Sequence, residues 1–201
     1  KIEYFPGSVE PNYMIVAGVN FDLPKEGVNV STYLGSGESI YASAENLYVA
    51  VTRYNNTRVP GPIINDSAAP KKIEIKVSDR ETVIYRFALN NGKLDYTGKG
   101  SVPGSILNQF SMDEDKGYFR IATTRGNLFG EGEDISKNNM YVLDSDMNTC
   151  GSIEDIAPGE RIYSVRFMGD RAYMVTFKKV DPLFVIDLKD PKNPAILGAL
   201  K

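Results

Sequence analysis

The carboxylates, and the bases that are missing, decide most of the chemistry open to this chain. Two acidic clusters stand out, Asp113-Glu-Asp115 and Glu131-Gly-Glu-Asp134. Paired carboxylates do acid–base work on glycosides when they lie within roughly 10 Å of each other. Inside one turn they are ordinarily solvated loop charges, and the spacing puts Asp113–Asp115 at a hairpin tip. Asp144-Ser-Asp146-Met-Asn148 opens like a calcium loop, with oxygen ligands at alternate positions. However, Thr149 stands where such a loop needs glycine, and Asp155 replaces the usual bidentate Glu. The plainer reading is a polar turn whose Asp144, Asp146 and Asn148 bond to their own backbone. Cys150 is the single cysteine, and there is no histidine anywhere. A histidine triad, a histidine base, a histidine-ligated metal and an internal disulfide are therefore all excluded within this chain. Cys150, with no histidine to activate it, reads as a small buried hydrophobe. Gly35-Ser-Gly37 and Gly98-Lys-Gly100 are glycine-rich but open no helix, so they read as turns and not as phosphate cradles. Asn29, Asn55 and Asn65 begin glycosylation sequons, a short pattern that is common by chance. No catalytic set, cofactor or metal is expected.

The bulk composition narrows the class further. The 201 residues are 42% hydrophobic and 24% charged, and 23 basic against 26 acidic residues give a net charge of −3. That is enough apolar material for a packed core, which argues against disorder. The mild acidity argues against a nucleic-acid partner, whose binders carry a basic patch. No window approaches ~18 consecutive apolar residues, so no membrane span is expected.

The elements that position these residues read as strands. Helical periodicity is absent. Short β-branched and aromatic runs alternate with Gly, Pro, Asn and Asp clusters. The clearest are Met14–Asn20, Val30–Leu34, Ser39–Ser43, Leu47–Thr52, Val83–Leu89, Asn108–Met112, Tyr118–Thr124, Asn139–Asp144, Ile162–Phe167, Ala172–Phe177 and Leu183–Leu188. Two patterns recur. A hairpin of strands A and B runs Ser39–Thr52, Gln109–Thr123 and Ile162–Thr176, with an aromatic opening strand B at Tyr48, Phe119 and Tyr173. A strand C reads apolar-aromatic-x-apolar at Ile84–Phe87, Met140–Leu143 and Leu183–Ile186, more loosely at Met14–Ala17. A strand D follows each C. Ile15 to Tyr48 is 33 residues, Tyr85 to Phe119 is 34, and Tyr141 to Tyr173 is 32. The return intervals, Tyr48 to Tyr85 and Phe119 to Tyr141, are 37 and 22. One fixed half and one elastic half mean a repeat with a variable B–C loop.

Four antiparallel strands per unit make the blade of a β-propeller. The expected fold is an all-β propeller fragment of about three complete blades and a half blade. The expected boundaries are an N-terminal extension over 1–12, a half blade over 13–36, and blades over 37–104, 105–159 and 160–201. Closed propellers usually have about 4–8 blades, so further residues are expected outside this sequence. Unpaired blade edges would favour self-association.

Tyr33–Tyr41, Ser101–Glu114, Phe119–Thr124, Ala157–Tyr173 and Asp181–Pro194 together resemble a prokaryotic family of secreted proteins with a C-terminal β-propeller domain. The resemblance runs from about Tyr33 to Lys201. It implies a longer parent protein and export to the cell surface or beyond, and it implies no activity. Function concentrates in variable loops on a rigid scaffold. The B–C joints, about Arg53–Glu81 and Arg125–Asn138, therefore supply the candidate binding residues Tyr54, Asn55, Arg58, Arg125 and Phe129. In a propeller these joints share a rim with the D–A loops, here Gly35–Glu38, Gly104–Leu107 and Gly159–Glu160. Alternating Ile73–Val77 suggests an extra strand in the first joint. The expected function is a non-enzymatic binding module for a protein, peptide or glycan. The competing expectation is a carboxylate- or metal-dependent hydrolase completed by blades outside this chain.

Overall fold

The computed structural model describes residues 2–4, 13–34, 37–55, 79–128, 132, 135–178 and 181–200. They form four sheets and two single-turn 3-10 helices. The N-terminal sheet holds β1 (Ile2–Tyr4), β2 (Tyr13–Val19) and β3 (Val28–Leu34) in the order β1-β3-β2. It has three strands and not two, because Ile2–Tyr4 pairs in parallel with Thr32–Leu34. The next three sheets are each four-stranded, antiparallel and wound in chain order. The first blade is β4 (Ser39–Ala42), β5 (Asn46–Asn55), β6 (Asp79–Asn90) and β7 (Lys93–Pro103). The second is β8 (Met112–Asp115), β9 (Tyr118–Arg125), β10 (Lys137–Leu143) and β11 (Thr149–Ile156). The third is β12 (Arg161–Met168), β13 (Arg171–Phe177), β14 (Leu183–Asp187) and β15 (Ala195–Leu200). This is the all-β propeller architecture that the repeat predicts.

One strand A departs from expectation. Asn108–Met112 does not open the second blade as a strand. Asn108 accepts the Phe110 amide on its Oδ1 at 3.0 Å and caps a 3-10 turn over Gln109–Ser111. The short polar side chain thus offers the backbone an alternative to the ladder. The strand begins at Met112 instead, and the hairpin tip is Lys116-Gly117, both in the left-handed region (φ 53° and 78°) as a two-residue hairpin turn demands. Asp113–Asp115 consequently lie in β8 and not in the tip.

The sheets stack face to face, and alternate side chains of each inner strand serve opposite neighbours. Val49, Val51, Val83, Tyr85 and Phe87 meet Tyr33, Met14 and Val16 of the N-terminal sheet. Tyr48, Ala50, Ile84 and Val102 meet Phe119, Ile121, Tyr141, Leu143 and Met147 of the second blade. Ala122, Met140, Val142 and Ile156 meet Ile162, Val165, Ala172, Met174 and Ile186 of the third. Each large side chain buried this way contributes about 1.5–3 kcal/mol. The aromatics that open strand B are therefore not equivalent. Tyr48 faces the following sheet and Phe119 the preceding one, so the two rings stack on each other 4.3 Å apart. Tyr173 lies on the free side of β13, between the inward-facing Ala172 and Met174. A one-residue shift along a strand exchanges its faces.

Glycine makes the outer packing possible. In β7, Gly100 pairs with Ile84; in β11, Gly151 pairs with Val142. The turn after β10 rests on Gly100, where a Cβ would collide with the Met147 carbonyl oxygen and lie 2.8 Å from Leu143. The turn after β14 rests on Gly151, where a Cβ would collide with the Pro191 carbonyl oxygen. In both turns the nearest atom is a backbone carbonyl oxygen, which cannot move aside cheaply. Gly100→Ala and Gly151→Ala should each cost about 1–3 kcal/mol as overpacking. Gly198→Ala in β15, where a Cβ meets nothing within 4 Å, should stay within about 0.5 kcal/mol. Urea-unfolding midpoints in dilute solution check all three.

Candidate functional site

The strands present two ends to solvent. One carries the A–B hairpin tips and the C–D turns; the other carries the B–C joints and the D–A crossings. The candidate residues divide between them.

On the B–C end, β5 and β6 outrun their neighbours. The ladder between them continues from Asn46↔Ala88 to Asn55↔Asp79. Strand β4 pairs no further than Ala50, and β7 ends with Pro103 opposite Glu81. The pairs Tyr54↔Arg80 and Asn55↔Asp79 thus form a two-stranded ribbon beyond the blade. Tyr54 is 57% exposed, and the Arg80 guanidinium lies over its ring, 5.2 Å from the centroid. The joint between these strands spans 56–78 and is shorter than the Arg53–Glu81 expected. Arg58 and the expected strand Ile73–Val77 lie outside the described residues. Arg53 donates to the Tyr85 hydroxyl at 2.7 Å.

Buried threonines and asparagines fasten the D–A crossings to this end. The Gly104 amide donates to the Arg80 carbonyl at 2.7 Å, and Thr82 Oγ1 donates to the Gly104 carbonyl at 2.8 Å. Gly104 sits at φ 93°, which an L-residue with a side chain rarely adopts. Ser105 and Thr124 exchange amide hydrogen bonds of 2.9 Å, and Thr123 Oγ1 donates to the Pro103 carbonyl at 2.7 Å. At the next junction Asn138 Nδ2 donates to the carbonyls of Ile156 and Glu160, while the Thr176 hydroxyl donates to the Glu160 carboxylate. The Gly159 amide reaches the Ser136 carbonyl at 2.7 Å. The anchors of the B–C joints and the D–A crossings therefore share one end of the molecule. The motif copies ending at Thr123 and Thr176 carried this signal, but nothing in the sequence said what the hydroxyls would hold.

Arg125 belongs to this end and is already engaged. Its Nη2 lies 2.6 Å from Asp155 Oδ1, and Lys137 Nζ lies 3.1 Å from Asp155 Oδ2. The Arg125 hydrogen bond, with help from Lys137, holds the Asp155 carboxyl below the usual carboxylate range. Phe129, Glu131 and Asp134 lie outside the described residues, and of Asn55 only the backbone pairing is described.

The hairpin end has its charges paired off against each other. Arg120 is only 4% exposed. Its Nε donates to Asp113 Oδ2 at 2.9 Å, its Nη2 to the same oxygen, and its Nη1 to the Gly169 carbonyl at 2.7 Å. Asp115 lies 3.5 Å from Nη1, and the guanidinium sits 5.4 Å over the Phe167 ring. Lys116 pairs with Asp170 at 2.5 Å, and Asn46 donates to Glu114 at 2.8 Å. The carboxylates singled out for acid–base chemistry are thus held by Arg120 of their own blade and by Asn46 of the preceding one, while Arg120 and Lys116 reach on to the third blade. Moreover, they sit at the opposite end of β9 and β10 from Arg125 and Lys137, which flank the second acidic cluster.

Two clefts lie between blades. One of about 440 Å³ is lined by Arg53, Glu81, Val83, Lys99, Ser101 and the Met147–Thr149 turn. The other, about 210 Å³, lies among Asp115, Lys116, Tyr118, Arg120, Asp170 and Lys189. The Asp144 turn borders the first. Asp144 Oδ1 accepts the amides of Asp146 and Asn148, both at 2.9 Å, and Met147 (φ 64°) drives its side chain into the core between blades. Among the described residues no group of three or more Cys, Asp or Glu is placed to hold a metal ion. Among the described residues no helix is long and apolar enough to cross a membrane.

Two outcomes follow from these contacts. Arg120→Ala removes a buried cation from a partly exposed carboxylate and from the Gly169 carbonyl, so it should cost about 1–3 kcal/mol by urea unfolding. Arg120→Lys should recover only part of this, because the two-point contact to Asp113 needs a guanidinium. The second outcome concerns acid. Asp155 has a lowered folded pKa, so its pairing stabilises the fold above the ordinary carboxylate value of about 3.9. That contribution disappears as pH falls through the lowered value. Asp155 is half exposed, so the effect is at most about 1 kcal/mol. Asp155→Asn, which keeps a residue tolerant of its φ of 60°, should flatten the loss of stability as pH falls below about 5 by that amount.

Among known proteins, two archaeal relatives share much of this sequence. An uncharacterised protein of Methanocaldococcus jannaschii is 57% identical over 102 residues, 51% of this chain and 16% of the relative. An uncharacterised protein of Archaeoglobus fulgidus is 46% identical over 121 residues, 60% of this chain and 18% of the relative. The chain thus matches less than a fifth of the length of these curated relatives. No solved structure matches. The family described as the β-propeller domain matches residues 1–201 throughout. With four stacked sheets, three of them four-stranded and wound in chain order, this chain belongs to the β-propeller domain family.

Proposed function

We propose that the chain is a non-catalytic binding module of an exported or cell-surface protein, recognising a protein, peptide or glycan at its B–C end. The observation that carries this is the ribbon formed by the ends of β5 and β6. It lifts Tyr54 and Arg80 clear of the blade as an aromatic ring under a guanidinium. Tyrosine and arginine are the residue types that anchor interfaces, because each supplies large contact area and directional polar groups. The contact between them, worth about 0.5–1 kcal/mol at an exposed site, pre-orders the pair for a partner. The opposite end supports the contrast, since Arg120, Lys116, Asp170 and Glu114 are spent on binding blades together. Export rests on the resemblance to secreted propeller proteins described above.

Screening the full chain against a displayed peptide library and a glycan array tests the proposal. A binder should be weakened about tenfold or more by Tyr54→Ala or Arg80→Ala. Hydrogen exchange should show its footprint on residues 53–55, 79–82 and 104–107. A footprint on Asn46, Lys116 and Asp170 would place recognition at the hairpin end and overturn the proposed placement. Hydrolysis of an arrayed glycan would replace binding with catalysis.

A further inference from the structure

The first two blades share a pair of side chains near the B–C end. In each, a tyrosine of strand C stands across from strand B, and an arginine follows four residues further along strand B. Tyr85 is opposite Val49, with Arg53 beyond it; Tyr141 is opposite Ile121, with Arg125 beyond it. Alternate residues of a strand share a face, so each arginine lies on the side of its tyrosine. In both blades that side is turned to the preceding sheet.

The blades differ in what the outer strand sets before this pair. In the second blade it sets acid. Ser152 of β11 stands opposite Tyr141, and Glu154 and Asp155 follow. The Tyr141 hydroxyl donates to Glu154 Oε1 at 3.1 Å, and Arg125 Nη2 lies 2.6 Å from Asp155 Oδ1. In the first blade Lys99 of β7 stands opposite Tyr85, and Ser101 takes the place of Glu154. Strand β7 carries no acid after Asp95. Its neighbour β6 carries one, Glu81, across from Arg53, where the second blade has Lys137 across from Arg125. The second blade therefore sets two cations, Arg125 and Lys137, against two carboxylates. The first sets two, Arg53 and Lys99, against one.

The cleft of about 440 Å³ opens at this place, between the first blade and the second. Arg53, Glu81, Lys99 and Ser101 line it from one side, and Asn148 and Thr149 of the C–D turn from the other. The volume falls in the range of small-molecule sites. Such sites are usually apolar, whereas this one is bordered by hydroxyls, an amide and charges, which suits a ligand rich in hydroxyl groups. The excess cation suits a single negative charge. The group that meets the equivalent arginine in the second blade is a carboxylate.

We propose that this cleft binds a small hydroxylated carboxylate of the sugar-acid class. The ligand's carboxylate lies between Arg53 and Lys99, in the role that Asp155 and Glu154 fill for the second blade, through charge-assisted hydrogen bonds. Its hydroxyls bond to Ser101, Asn148, Thr149 and Glu81. A free sugar acid and the acidic end of a glycan present the same chemistry here. The site is separate from Tyr54 and Arg80, because adjacent strand residues point to opposite faces. Neither proposal depends on the other.

Isothermal titration of the chain with glucuronate tests this, with glucose as the neutral counterpart and inorganic phosphate as a competing anion. Glucuronate should bind with a dissociation constant of about 1 mM or tighter, and glucose should not. Lys99→Ala should weaken glucuronate about tenfold or more. Ser101→Glu should do the same, because it supplies from within the carboxylate that the second blade already has. Both positions are exposed, so the urea midpoint of either variant should stay close to that of the unmodified chain. Methyl glucuronide separates the two sources: equal binding extends the site to glycan ends, loss of binding restricts it to the free acid, and either result supports the site. Absent binding of glucuronate, or binding that survives both variants, would overturn the proposal. Phosphate that displaces glucuronate at equal concentration would overturn the choice of a carboxylate.

Discussion

The structure depends on one constraint: a four-stranded sheet has two faces, and both must be covered. An isolated sheet of this size buries too little apolar surface to offset the entropy of ordering its chain. Stacking resolves this by letting β5, β6, β9 and β10 bury one set of side chains in each direction. Most of the fully buried large residues, among them Tyr48, Tyr85, Phe87, Phe119, Ile121 and Met140, come from these middle strands. The outer strands can approach the next blade only where a side chain is missing, which is why Gly100 and Gly151 stand where they do.

Stacking also explains the division of labour between the two ends. At the hairpin end, Arg120 reaches from β9 to Gly169 of the third blade, while Tyr41 of the first blade holds the Glu114 amide at 3.1 Å. Charge there is structural. At the other end buried hydroxyls and amides do most of the fastening, with Thr82, Thr123, Asn138 and Asn139 all buried, and the Glu160 carboxylate is held by the Thr176 hydroxyl. Buried polar groups are costly unless paired, and here the D–A crossings supply the partners. Because those fastenings grip backbone, the long joints above them are free to differ in length without disturbing the blades.

The architecture was legible because repetition survives imprecision. Intervals of 33, 34 and 32 residues identified a recurring unit although its landmarks were not equivalent. Tyr48 and Phe119 were read as the same position, yet they meet across an interface. The hairpin turns differ in length, Ser43–Asn46 against Lys116–Gly117, and a strand's period of two converts one residue of slip into a change of face. Asn108 misled for a related reason: its side chain capped a turn locally and displaced the expected strand. The candidate site was less legible. Variable loop length points to Tyr54, but Arg80 falls inside the expected joint and lies in strand β6. Arg120, which meets Asp113, Asp115 and the Gly169 carbonyl, is hidden inside an apolar motif.

The sequence by itself determined that this chain is all-β, repeats in four-strand units, lacks histidine chemistry, and varies most at one joint. These are properties of composition and order, and they need no third dimension. Only the tertiary structure decided which carboxylates are bound to an arginine, which glycines lie under a neighbouring turn, and which aromatic rings meet across a blade interface. The reason is that each of these is a relation between blades some 50 residues apart. Gly100 meets Met147, and Arg120 meets Gly169, only once the sheets have stacked.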